Sequence, residues 1–118
     1  MSHIVTVKTK VTDTRALVEA AERMEGVRVL GEGSHRLYQG AVDGLGIQLP
    51  GWNYPVVVKE DGTVVYDNYN GYWGDIDRLD ELMQAYTVEK VKSEAALAGR
   101  FVDETVCENG DVVLRIEY

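Results

Sequence analysis

The chain has 118 residues, 45% hydrophobic and 27% charged, which is the size and balance of one globular domain able to bury a core without a staple. Its formal charge of −8 and pI near 4.7 argue against a general affinity for nucleic-acid phosphates. One cysteine, Cys107, excludes an internal disulfide, and no run reaches the ~18 apolar residues of a membrane helix. The opening MSHIVTVKTK lacks the long apolar region of a secretory signal, so a cytoplasmic protein away from membranes is expected.

In chain order, residues 3–11 alternate. Val5, Val7 and Val11 lie on one side, with Thr6, Lys8 and Lys10 on the other, which is the pattern of a half-buried strand. Thr12 and Asp13 offer caps for a helix carrying Leu17, Ala21 and Met24, and Gly26 offers its left-handed end. VRVL is a short strand and GEGS a loop. Asp43-Gly44, Asp61-Gly62 and Asn109-Gly110 each suit a two-residue hairpin turn. They predict hairpins of 37–42 with 45–49, 56–60 with 63–66, and 101–108 with 111–118. In the last, Cys107 faces Val112, Val106 faces Val113, Thr105 faces Leu114 and Glu104 faces Arg115. A long helix starts at Asp75 and ends at Gly99, with Ile76, Leu79, Leu82, Met83, Tyr86, Val91, Ala95 and Ala98 as its stripe. The expected fold is α+β. An antiparallel sheet is built from an N-terminal strand and three hairpins, with two helices on one face and one domain over residues 1–118.

Catalytic chemistry finds no convincing set. His3 and His35 stand apart, and with one cysteine they form no zinc spacing. Asp75, Asp77, Asp80 and Glu81 read as the acidic start of a helix rather than a magnesium site. GEGS and GLGIQLPG open no helix after a strand and complete no phosphate-binding motif; Gly44 is explained by its turn, and Gly46 by a bulky neighbour across a strand interior. Cys107 reads as a packed thiol and His3 as a structural residue on the Val5 face. No catalytic residue, metal or cofactor is expected, and the balance is against an enzyme.

The aromatics are more informative. Six of the ten fall from Trp52 to Trp73, in PGWNYP and YDNYNGYWGD, at the two ends of one predicted hairpin. Trp52, Asn53, Tyr54, Asp67, Asn68, Tyr69, Tyr72 and Trp73 are therefore the candidate site, able either to bind or to hold the long helix on the sheet. Tyr86 and Lys90 share a helix face as a second candidate for an anion, or as a core-edge tyrosine beside a snorkelling lysine.

MSHIVTVKTKV, LPGWNYPVVV, YDNYNGYWGD and QAYTVEKVKSEAALAGR, in that order along nearly the whole chain, resemble the uncharacterised family typified by hypothetical chloroplast reading frame 35. That family occurs in bacteria, cyanobacteria, algal plastids and some phages, and the aromatic middle marks a bacterial or phage branch. The resemblance carries no catalytic residues. It implies an accessory role, because members lie near genes for AAA-type ATPases. Two functions follow as expectations. One is a non-catalytic binding or adaptor domain acting as a homodimer or with an AAA-type ATPase. The other is a small-molecule binder for a nucleotide or anionic metabolite, with Lys8, Lys10 or Lys90 supplying charge to the aromatic mouth.

Overall fold

The computed structural model describes residues 4–7, 10–106 and 112–117. The elements run β1 (Val5–Thr6), α1 (Thr14–Arg23), β2 (Arg28–Leu37), β3 (Gly40–Gln48), β4 (Val56–Val58), β5 (Val64–Tyr66), α2 (Ile76–Leu97), β6 (Phe101–Val106) and β7 (Val112–Glu117). An antiparallel five-stranded sheet has the order β1-β5-β4-β3-β2, and β6 with β7 forms a separate two-stranded sheet. The fold is α+β, as expected. Among the described residues, no helix is long and apolar enough to cross a membrane.

Alternation along the strands sorts the side chains into two layers. Leu45, Ile47, Val56, Val58 and Val64 face the helices and pack with Leu17, Ala20 and Ala21 of α1 and Leu79, Leu82 and Tyr86 of α2. Val57 and Val65 face the other way and cluster with Leu37. Leu37 pairs with Gly40 at the far end of β2, while Val57 pairs with Gly46. For Leu37 to be wholly buried against Val57, the β2–β3 hairpin must coil over the helix-free face. Glycine makes this feasible, because Gly31 faces Gly46 and Gly33 faces Gly44. These four positions put no side chain on the inside of the curl.

The same geometry corrects the first expected hairpin. GEGS is strand, not loop, and the turn is Tyr38-Gln39 rather than Asp43-Gly44. Gly44 serves close approach instead, since a Cβ there would lie 2.3 Å from the Val58 carbonyl oxygen. Gly46 does meet a bulky neighbour, because the His35 ring would be 2.6 Å from its Cβ. The second hairpin sits where expected but with another turn. Val58 pairs with Val64 and the Lys59 N–H donates to the Thr63 carbonyl (2.8 Å), so a three-residue loop of 60–62 closes it. In the third, Val106 pairs with Val112 and Asp103, not Glu104, faces Arg115. Five residues separate Val106 from Val112, an odd number that a two-residue turn cannot satisfy. Cys107 and Asn109-Gly110 lie outside the described residues, as do His3 and Lys8.

Strand β1 is shorter than expected. Beyond it the Val7 and Val11 N–H groups still donate to the Val64 and Gly62 carbonyls (2.9 and 2.8 Å). Asp13, not Thr12, caps α1, accepting from the Ala16 N–H at 3.1 Å. That helix closes at Met24 in an extended conformation, before Gly26. Asp75 caps α2, accepting from the Asp77 N–H at 3.0 Å. At its other end Gly99, at φ +71°, lets its own N–H reach the Ala96 carbonyl and the Arg100 N–H reach that of Ala95, a paired C-terminal cap. The expected stripe of α2 is shifted, since Ile76 and Ala98 are exposed while Val88 and Glu89 are buried. Glu89 tolerates burial by pairing with Arg23 of α1.

Candidate functional site: an aromatic surface around Trp73

Two loops at one end of the sheet build the site. In the first, Pro50-Gly51 makes a tight turn, with the Trp52 N–H donating to the Leu49 carbonyl at 3.2 Å and Gly51 at φ +77°. The turn sends the Trp52 ring into the helix-side core, where only 5% of the residue is exposed. Its indole N–H donates to the Asp75 carbonyl at 3.0 Å, tying the first loop to the start of α2. The ring passes against Gly74, where a Cβ would be 2.3 Å from it, and meets Tyr66 edge-on at 5.7 Å.

The second loop follows β5. Tyr66 packs toward the helices, so by alternation Asp67 turns to the helix-free face. Asp67 is 1% exposed; Oδ1 accepts from the Tyr69 N–H at 3.1 Å, and Oδ2 has no hydrogen-bond partner among the described residues. The Asn68 carbonyl accepts from the Gly71 and Trp73 N–H groups (3.0 and 2.9 Å), and its amide donates to the Gly74 carbonyl at 3.2 Å. Those bonds close the loop around Tyr69 and Asn70, both left-handed at φ +47° and +53°. Asparagine accepts that conformation readily, but tyrosine does not. Such strain concentrates at binding sites and costs about 1–3 kcal/mol.

The closed loop displays Trp73. Its ring is contacted by Tyr69 (4.8 Å), Tyr38 (5.0 Å) and Tyr54 (5.5 Å) at interplanar angles of 45–71°. Tyr72 stands against Tyr69 at 5.3 Å and is 81% exposed. The three partners of Trp73 come from the β2–β3 turn and the two loops, and the Asn53 N–H donates to the Trp73 carbonyl at 2.8 Å. Acidic residues lie just beyond. Asp75, Asp77, Asp80 and Glu81 are exposed at the start of α2, where Arg78 pairs with Glu81 at 2.9 Å. Burial, reinforced by the Asp80 charge, raises the Tyr66 phenol above its ordinary 10.0.

The structure thus divides the predicted set. Tyr54, Tyr69, Tyr72 and Trp73 come together, with Asn53, Asp67 and Asn68 supporting them. Trp52 goes to the core on the other side of the sheet. Tyr86 is buried, and its hydroxyl accepts from the Thr12 and Asp13 N–H groups (2.9 and 3.2 Å), holding the entry to α1. Lys90 is also in the helix layer, 3.9 Å from Glu94. Sequence reasoning missed Tyr38. Its signal was Gly40 two residues later, which marks the turn that lifts Tyr38 to Trp73. Arg23 and Glu89 were missed as well. They line a cleft of about 500 Å3 between α1 and α2, whose Arg15 and Lys92 also contact carboxylates, Glu19 at 3.7 Å and Glu89 at 4.0 Å.

Among the described residues, no group of three or more His, Cys, Asp or Glu is placed to hold a metal ion. No protein-family model, curated protein or solved structure compared with the chain matches it.

Proposed function

We propose that the chain is a small non-catalytic binding domain that docks a protein through the aromatic surface around Trp73. One observation carries this reading. A half-buried tryptophan is wedged among tyrosines from three segments, with Tyr72 directed outward. Tryptophan and tyrosine dominate the energetics of protein interfaces, and rings held in place before binding lose little entropy on contact. The described ring pairs meet at 45–75°, so none of them forms a parallel slot that would clamp a flat base on both faces. The small-molecule reading also required a lysine beside the rings. Of its three lysines, Lys90 is in the helix layer and contacts Glu94, so that form of the reading has less support, while Lys10 is exposed and Lys8 lies outside the described residues.

The partner is a second copy of the chain or, following the resemblance to the reading-frame-35 family, an AAA-type ATPase in a bacterial or phage cytoplasm. Light scattering and affinity capture test the proposal together. The wild type is expected to form a dimer or retain a partner, and Tyr72→Ala to lose it while folding normally. A strictly monomeric wild type that retains nothing overturns it.

A further inference from the structure

We infer that the surface around Trp73 takes a basic segment of its partner, with arginine side chains as the preferred contact. This rests on the reading of that surface as a docking site and adds the chemistry of what docks there. Three independent features point the same way.

The first is the rings themselves. Tyr38, Tyr69, Tyr72 and Trp73 offer faces of negative potential, and tryptophan is the strongest cation–π acceptor among side chains. A guanidinium is planar, stacks on such faces and keeps its donors free at its edge, which an ammonium cannot do. The second is the charge of the chain segment that carries Trp73 and leads into α2. Residues 66–81 contain five acids (Asp67, Asp75, Asp77, Asp80 and Glu81) against one cation, Arg78, which is engaged by Glu81. The other two ring-bearing stretches, residues 36–41 and 49–57, add one cation, the exposed Arg36 two residues before Tyr38, so acids outnumber cations five to two. The third is Asp67, buried at the base of the ring-bearing loop, where one carboxyl oxygen accepts from the Tyr69 N–H and the other has no partner among the described residues. A buried acceptor in that state is rare, and it favours the approach of a donor or a cation to the loop above it.

The two tryptophans make the test direct. Trp52 is buried in the core and Trp73 is half-exposed, so a change in indole emission on binding reports Trp73. The protein is titrated with short oligoarginine, oligolysine and oligoglutamate peptides at low salt and at ~0.15 M salt. Saturable binding of oligoarginine is expected, tighter than oligolysine and weakened by salt, with no response to oligoglutamate. Tyr72→Ala removes an exposed ring but no charge, and is expected to weaken oligoarginine binding about tenfold. Asp77→Asn combined with Asp80→Asn is expected to weaken binding and flatten its salt dependence. Equal binding of oligoarginine by wild type and Tyr72→Ala overturns the inference, because the attraction would then be net charge alone. So does binding of oligoglutamate, or of no peptide. If no peptide binds but Tyr72→Ala still abolishes capture or dimerisation, only the charge preference falls. If Tyr72→Ala retains its partner, the docking reading falls first.

Discussion

Trp52 and Trp73 stand on adjoining loops joined by the hydrogen bond from Asn53 to the Trp73 carbonyl, yet their environments are opposite. Trp52 has its ring in the helix-side core and its indole N–H on the Asp75 carbonyl. Trp73 has its ring among tyrosines on the helix-free side. The residue type is the same and the local composition nearly so. What separates them is long-range packing, since Trp52 fits over Gly74 on the helix side whereas Trp73 meets Tyr38 of the β2–β3 turn and Tyr54 on the other. An aromatic-rich stretch is therefore not one functional unit. Half of this one builds the scaffold and half is displayed by it.

The comparison breaks most readily at Trp52. Trp52→Ala empties a buried indole site and strands the Asp75 carbonyl, at an expected cost of about 3–5 kcal/mol. Trp73→Ala is expected to cost less than half of that, since its ring is half-exposed. Urea denaturation of both variants checks the contrast, and equal losses would mean that both rings are core. Gly74→Ala probes the contact between the two regions. Its methyl would fall 2.3 Å from the Trp52 ring, so a loss of about 1–3 kcal/mol is expected, with a shifted near-ultraviolet signal from the displaced indole. Tyr86→Phe tests whether the second sequence candidate is structural. Removing the hydroxyl leaves the Thr12 and Asp13 N–H groups without their acceptor, for an expected loss of about 1–2 kcal/mol and no change in peptide binding. A binding defect in that variant would return Tyr86 to the functional surface.

The same comparison explains what was legible in the sequence. The two helices, with Asp75 as a cap and Gly99 as a terminator, were readable because caps and helical spacing are local signals. The β4–β5 hairpin was readable for the same reason. The β2–β3 hairpin was not. Asp43-Gly44 has the composition of a turn, and only the approach of the Val58 carbonyl, set by a strand far along the chain, reveals why a glycine is needed there. Misplacing that turn hid Tyr38 from the site. The division of Trp52 from Trp73 was likewise invisible, because it depends on the clearance over Gly74 and on the curl of a hairpin that packs Leu37 against Val57. Long-range closeness of this kind leaves no periodicity to read.

The smallest expected effect belongs to Tyr66, which packs on Trp52 at the boundary of the two regions. Burial and the Asp80 charge both disfavour its phenolate, so its pKa is higher folded than the 10.0 of an unfolded tyrosine. Below pH 10 the phenol is neutral in both states, and its contribution to stability is fully present. As pH rises above 10, the unfolded chain releases this proton before the folded one does, and the contribution is lost through the folded pKa. The wild type should therefore lose stability more steeply than Tyr66→Phe as pH rises above about 10, although lysines titrating in the same range weaken both. The quantity to measure is the difference between their urea midpoints across that range. A difference that stays constant would mean that Tyr66 is as well hydrated as the exposed Tyr72, and that the boundary between core and surface lies one ring deeper, at Trp52 itself.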